Sequence, residues 1–279
     1  MKRKVKVEVT KEIDDVIEST IKQLGLSTKL ETAALYTLKL PGKRIRPRFV
    51  MASAKDFNVD ENIAIKVACA TEMMHAGSLI HDDLPAVDND DYRRGRPSNH
   101  VAFGEDIAIM AGDLLFSVAG YICAESKNND VIRAFTQTLI ELVDGETRDI
   151  IMSKNGYEPS KSEILQMYRG KTGALFAFSF SFGPMMMGSD PLPYREAGYE
   201  FGTYFQIRDD ILDVTATFEQ IGKTPKKDLQ ENKATIVKIM GIKQAQKLAE
   251  DIRDRILSRI NKGFLYDEVR EILFNKKFV

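Results

Sequence analysis

The stretch SLIHDDLPAVDNDDYRRGRPSNH, Ser78 to His100, sets five aspartates and three arginines directly behind an apolar helical pattern. Opposite charge this dense either satisfies itself on a wet face or waits for a small, highly charged guest. The order of the residues favours the guest. Leu79 and Ile80 precede Asp82, so the first carboxylate emerges from a buried stripe. Carboxylates at a helix C-terminus oppose the macrodipole unless a cation offsets them. His75 lies seven residues before Asp82, about 20° away around a helix, so both address one space. Pro85 ends the helix at Asp82–Asp83 and brings Asp88 back through a loop rather than by helical register. A calcium loop starting at Asp88 fails, because its sixth position is Arg93 and its twelfth Asn99. Zinc fails as well: the histidines are His75, His81 and His100, with no cysteine near them. Oxygen-only ligands point to Mg²⁺.

A second acidic stretch, FQIRDDILDV, carries Asp209 and Asp213 four residues apart, about 40° around a helix and one turn from each other. One such stretch is ordinary. Two of them, each on an apolar helix and far apart in sequence, predict carboxylates that repel across a common cavity until divalent cations balance them. Facing walls of that kind would clamp a diphosphate. Basic groups complete the set. PGKRIRPRF places Lys43 and Arg46 just before a helix expected to begin near Pro47, where free backbone donors suit a phosphate. The two G-K-T triplets, at Lys171 and at Lys223, are not P-loops, since the required upstream glycine is Leu165 in one and Thr217 in the other. Lys223 sits in a Gly/Pro loop able to fold over an anion, while Lys226, Lys227 and Lys233 read as solvated surface. Charged heads and apolar tails are the substrates such a chain expects.

The elements that position these groups are helices. Three- and four-residue apolar spacing recurs from Glu61 to Asp83, Val101 to Ser126, Val131 to Ser153, Lys161 to Phe182, Tyr194 to Thr215 and Gln244 to Ile260. Breaks fall at Pro41-Gly42, Pro85, Asn128-Asn129, Gly156–Pro159, Gly188–Pro193 and Gly222–Pro225. VKVEV is the one strand candidate, ahead of the first helix. Roughly ten helices in a single all-α domain over residues 1–279, a bundle around a central cavity, is the expected architecture. A formal net charge of −1 leaves no bulk field for nucleic acid. The two cysteines, Cys69 and Cys123, stand in apolar helical contexts and suit a reducing, cytoplasmic setting. No apolar run resembles a signal peptide or is expected to span a membrane.

Taken in order, GKRIRP, EMMHAGSLIHDDLPAVDNDDYRRGRPSNH, YRGKTGALF, FQIRDDILDV and IGKTPKKDLQENKAT resemble the trans-isoprenyl diphosphate synthases of the polyprenyl synthetase family, across most of Gly42 to Thr235. The resemblance implies an isoprenoid synthase fold, a homodimer and three Mg²⁺ ions per active site. Asp82, Asp88 and Asp209 would hold the metal, with Asp83, Asp210 and Asp213 in support. Lys43, Arg46, His75 and Arg94 would bind isopentenyl diphosphate. Arg93, Lys171, Thr172, Gln206 and Lys223 would bind the allylic diphosphate, with Thr172 and Gln206 also facing the carbocation. Where many relatives read G-Q-x-x-D, this chain has Gly145-Glu146-Thr147-Arg148-Asp149.

The growing tail is expected beside the helix that ends at Asp82, where one turn advances about 5.4 Å, close to one isoprene unit. Gly77 and Ser78, one turn down, are small and leave the path open; Met74, two turns down, is the expected floor. Geranylgeranyl diphosphate is therefore the expected main product, with farnesyl diphosphate next. A class I terpene cyclase shares the first aspartate motif but not the need for Lys43 or Arg46. A non-catalytic synthase subunit typically lacks an acidic cluster, and here both are intact.

Overall fold

The computed structural model describes residues 2–154, 156–215 and 234–275, with side chains from residue 10 onward. They are helical almost throughout and fall into two compact units, residues 1–135 and residues 136–279. The all-α expectation holds. VKVEV is not a strand, because the backbone is already helical from the second residue.

In the first unit, α1 (Lys2–Gln23), α2 (Thr28–Leu38), α3 (Ile45–Asp56) and α6 (Glu105–Ala124) all pack on α4 (Glu61–Asp82). Asp60 caps α4, its side chain accepting from the backbone N–H groups of Asn62 and Ile63 at 2.9 and 3.2 Å. Neighbours on every side explain why α4 buries residues around its whole circumference, Val67 through Met74 among them. Pro85 stops it where expected. Between α4 and α5 (Asn99–Phe103) lies a two-residue-per-strand hairpin, β1 (Tyr92–Arg93) and β2 (Arg96–Pro97), pairing Arg93 with Arg96. Its loop is Arg94-Gly95, both at positive φ (52° and 78°), as a tight hairpin turn matched to strand twist requires.

Among the described residues, two helices, α4 and α6, are long and apolar enough to cross a membrane by length and composition alone, contrary to expectation. For α4 the reason is its central place, with 72% of the apolar window buried. α6 buries 44% and leaves Ile109, Met110 and Tyr121 exposed.

The second unit takes up most of α7 (Asn129–Met152), then α8 (Lys161–Tyr168), a π-helical turn at Arg169–Gly173, α9 (Ala174–Met186) and α10 (Leu192–Thr215). Three further helices follow among the described residues: α11 (Ile236–Met240), α12 (Ile242–Arg259) and α13 (Phe264–Phe274). A reciprocal Ser160–Glu163 capping box starts α8. α9 is buried along nearly its whole length, so its phenylalanines contribute about 1.5–3 kcal/mol each. Phe176 meets Phe201 of α10 edge-on at 4.9 Å. Glycine sets the spacing of these helices. A Cβ at Gly145 of α7 would lie 2.1 Å from the backbone nitrogen of Lys171, and one at Gly202 of α10 would lie 2.4 Å from the Cα of Gly173. The π turn is thereby pressed against α7 on one flank and α10 on the other.

Candidate active site

The acidic end of α4 is built by backbone. The N–H of Asp88 donates to the carbonyl of Asp82 at 2.9 Å, and the N–H of Asp90 to that of Asp83 at 3.2 Å. A loop that doubles back in this way puts Asp88 beside Asp82 with both carboxylates half-buried. Asp83 turns the other way. It is 2% exposed and receives Nε of Arg93 at 2.9 and 3.2 Å, together with a closer contact from Nη2. Burial pushes the Asp83 carboxyl up, and Arg93 works against that shift. Asp83 thus acts as the anchor of Arg93, and through it of the hairpin.

The start of α3 gathers positive charge. Arg44 caps the helix in the left-handed region, φ 47°, which costs a non-glycine residue about 1 kcal/mol or more. Its guanidinium is held on three sides: Nη1 donates to Glu72 at 2.8 Å, Nε to Asp14 at 2.9 Å and Nη2 to the Leu38 carbonyl at 2.5 Å. α3 begins at Ile45 rather than near Pro47, so Arg46 lies inside the first turn. Pro47 is still harmless there, because the first backbone donors of a helix have no helical partner. Arg94 lies across Gly42, where a Cβ would be 2.6 Å from its Nη1. His75 feels all of this. Burial, then Arg46, Arg94, Arg93 and Arg44, hold its imidazole well below the usual range, so it is neutral. Burial also lowers the Arg46 guanidinium to about 10, with Arg94 adding to the shift and Glu72 opposing it. Lys43 is exposed on the same loop.

In the second unit, α10 places Asp209 and Asp213 by helical register, Asp209 half-buried and Asp213 5% exposed. Asp210 points elsewhere. It accepts from the Tyr168 hydroxyl, from the Ile236 N–H at 3.1 Å and from Gln206 Nε2 at 3.4 Å, which ties α10 to α8 and to the start of α11. Gln206 Oε1 accepts from the Thr172 hydroxyl at 3.3 Å, so Thr172, Gln206, Asp210 and Tyr168 form one polar chain. The π turn carries Thr172 and Lys171; single wide turns of this kind recur where a side chain must be re-aimed. Lys171 meets Glu146 and Asp149 of α7, at 2.9 and 2.5 Å. Lys223, Lys226, Lys227 and Lys233 lie outside the described residues.

Among the described residues, no three ligating side chains converge on a point that could hold a metal ion. Mg²⁺ does not require that, since it takes one or two carboxylates and completes its octahedron with water and substrate oxygens. Asp82 with Asp88 offers such a pair. Asp213 Oδ2 is buried without a hydrogen bond, a state that a nearby cation would relieve. The donor set fits the ion.

Sequence reasoning gave no role to four residues of this arrangement: Arg44, Glu72 and Tyr168, which lie within the quoted motifs, and Phe116, which does not. Glu72 did leave a signal, a lone carboxylate inside the apolar run VACATEMM. Phe116 changes the reading of Gly77. A Cβ at Gly77 would lie 3.1 Å from Phe116 Cε1 and 3.2 Å from the Gly112 carbonyl, so the space beside this small residue is filled from α6 rather than open. His81 packs edge-on against the Phe116 ring at 5.5 Å. Met74 is 1% exposed.

An all-α chain that holds oxygen ligands at helix ends and gathers guanidinium groups beside them has the makings of an isoprenoid diphosphate synthase. A model of the polyprenyl synthetase family matches residues 27–272, and the chain belongs to that family. It is 36% identical to a geranylgeranyl diphosphate synthase of Cyanophora paradoxa over 281 residues, covering 95% of this chain and 93% of that one. It is 37% identical to a farnesyl diphosphate synthase of Geobacillus stearothermophilus, over 85% and 84% of the two chains. Among solved structures, a geranyltranstransferase from Thermotoga maritima superposes with a TM-score of 0.85 at 34% identity, covering 95% of each chain.

Proposed function

We propose that this protein is a short-chain trans-prenyltransferase that joins isopentenyl diphosphate head to tail to an allylic diphosphate. The observation that carries the reading is the gathering of Arg46, Arg94 and neutral His75 around one place, in a chain whose net charge is −1. Such a cluster suits a multiply charged anion. Lys43, on the adjoining loop, belongs to the same isopentenyl diphosphate site. Arg93, Lys171, Thr172, Gln206 and Lys223 serve the allylic diphosphate. Mg²⁺, as three ions that Asp82, Asp88 and Asp209 would hold, would supply charge neutralisation to the departing pyrophosphate when bound. Asp83, Asp210 and Asp213 support that set, the first two by fixing Arg93 and α11. Arg93 and Lys171 stabilise the same leaving charge, and the hydroxyl of Thr172 and the amide of Gln206 face the allylic cation. His75, being neutral, can donate a hydrogen bond without weakening the guanidinium groups beside it. The arginine cluster holds isopentenyl diphosphate in register for attack. One domain over residues 1–279, a cytoplasmic setting and a homodimer belong to the same proposal; the exposed Ile109, Met110 and Tyr121 of α6 support the last.

Geranylgeranyl diphosphate is the proposed main product, with farnesyl diphosphate next. Ser78 borders the tail, Phe116 of α6 walls it at the level of Gly77 and Met74 closes it. Incubating the pure chain with Mg²⁺, isopentenyl diphosphate and a short allylic diphosphate tests the activity. Elongated diphosphates support it; hydrocarbon release would indicate a cyclase, and silence without a partner a subunit. Chromatography of the products of Phe116→Ala and Met74→Ala tests the walls, with a shift of about one isoprene unit expected for each, as one helical turn matches one unit. Unchanged products from either variant would remove that residue from the tail path.

A further inference from the structure

We propose that Arg44 is a positioning residue of the isopentenyl diphosphate site, setting Lys43 and Arg46 against His75 without touching the substrate itself, an inference that rests on the role given to those three residues above. The Arg44 side chain is 4% exposed, so it is closed to a diffusing anion. Its guanidinium instead ties three helices to the start of α3. Nη1 donates to Glu72 of α4 at 2.8 Å, Nε to Asp14 of α1 at 2.9 Å and Nη2 to the carbonyl of Leu38, the last residue of α2, at 2.5 Å. A guanidinium presents its donors in a fixed planar fork, and an ammonium does not. The backbone shows what this grip does. At φ 47°, Arg44 occupies the left-handed region, which a non-glycine residue keeps only where its surroundings over-determine it. Here the three acceptors do so. The Arg44 carbonyl accepts from the Arg48 N–H at 3.2 Å and thereby closes the first turn of α3. Lys43 precedes that bend and Arg46 follows it by two residues, so the bend sets the direction from which both project.

Glu72 supplies the point of reference. It stands three residues before His75, a spacing that makes two residues neighbours on a helix surface. One helix therefore carries both His75 and the carboxylate that fixes the start of α3. The loop before α3 is equally tight. A Cβ at Gly42 would lie 3.0 Å from Arg44 Nη1 and 2.6 Å from Arg94 Nη1, and Arg94 Nη1 donates to the Leu40 carbonyl at 3.4 Å. Arg94 thus takes its place from the loop that Arg44 ends. The anchors differ in weight. Arg44 and Glu72 are 4% and 5% exposed, and breaking a buried pair is costly, whereas Asp14 is 47% exposed and water screens its pair with Arg44.

Steady-state kinetics of Arg44→Lys, Glu72→Gln and Asp14→Ala, with each substrate varied in turn, tests this. Arg44→Lys keeps the charge and loses the fork. It should raise KM for isopentenyl diphosphate about tenfold and leave the allylic KM within about twofold, because a misplaced group acts on the substrate it holds. Glu72→Gln keeps an acceptor for Nη1 but not a charged one, and should raise the isopentenyl KM about fivefold. Asp14→Ala should raise it about twofold. A merely structural role would lower the fraction of active enzyme, which reduces apparent kcat and leaves both KM values in place. An unchanged isopentenyl KM in folded Arg44→Lys overturns the proposal, and so does an equal rise in both KM values. If Arg44→Lys and Glu72→Gln lose cooperative unfolding, Asp14→Ala decides, since its contact is half exposed; an isopentenyl KM equal to that of the wild type then overturns the proposal. Arg46→Gln is the control for the site and should raise the isopentenyl KM more than any of the three. If it does not, the assignment of the isopentenyl diphosphate site itself fails, an outcome distinct from failure of the Arg44 proposal.

Discussion

The two acidic segments share an adjacent aspartate pair followed by a further aspartate, and have opposite construction. At the end of α4, Pro85 destroys helical register, and hydrogen bonds along a returning loop bring Asp88 to Asp82. On α10 the helix runs on unbroken, and Asp209 and Asp213 share a face by periodicity alone. In each, the middle aspartate is drawn inward and given to the scaffold: Asp83 grips Arg93, and Asp210 accepts from Tyr168 and the Ile236 N–H. Adjacent aspartates in such a motif are thus not equivalent. One can serve the guest because the next secures the frame.

Substitutions should separate the two classes. The largest losses are expected from Asp82→Ala and Asp209→Ala, about 10²–10³-fold in kcat, the scale on which loss of one charge-stabilising group acts. Thermal unfolding should barely move, because both side chains are half-buried. Comparable rates with either residue removed would break the assignment. Asp83→Ala and Asp210→Ala should invert the pattern. Asp83→Ala leaves Arg93, whose side chain is 26% exposed, to the Asp90 carboxylate at 3.5 Å and should cost about 2–3 kcal/mol, below the 3–5 typical of fully buried pairs. Asp210→Ala strands the Tyr168 hydroxyl as a donor, at about 1–3 kcal/mol, while the Ile236 N–H keeps the Tyr168 oxygen as acceptor at 3.1 Å. Denaturant titration reads both, and stability unchanged in either would mean its contacts contribute nothing net.

The smallest effect sharpens the basic side of the comparison. His75 is neutral in the folded chain because burial and four arginines disfavour its proton. The unfolded chain takes up that proton below its ordinary pKa, about 6.5. Unfolded then binds more protons than folded, so stability rises with pH and is lost as pH falls through that value. The slope attributable to His75 is at most about 1.4 kcal/mol per pH unit, and His75→Gln should remove it. A wild-type slope that survives the substitution assigns the effect elsewhere.

How much of this was legible in the sequence follows from the range of the forces. α4 and α10 announce themselves because burial of one face imposes a period that survives in the residue order. Pro85 marks a helix end for an equally local reason. The hairpin carrying Arg93 and Arg94 has strands too short for a pattern, and only Gly95 hints at its turn. The partners of Lys171 lie more than twenty residues upstream, and G-E-T-R-D by itself does not say that both acids face one ammonium. Phe116 was unreadable for a related reason. A small residue at 77 looks like open space until a neighbouring helix fills it.

The wide turn at Arg169–Gly173 has a consequence for length variation. It holds one residue more than an α-helical path would need, so deleting a single residue there would let the rod run straight through as ordinary helix. α9 would keep its orientation to α8, whereas straightening the turn without a deletion would swivel α9 by about 100°. The chain therefore has a point at which losing a residue need neither interrupt a helix nor re-register a hydrophobic column thirteen residues long. A single deletion in this segment should spare both flanking helices while displacing Lys171 and Thr172, which the turn carries.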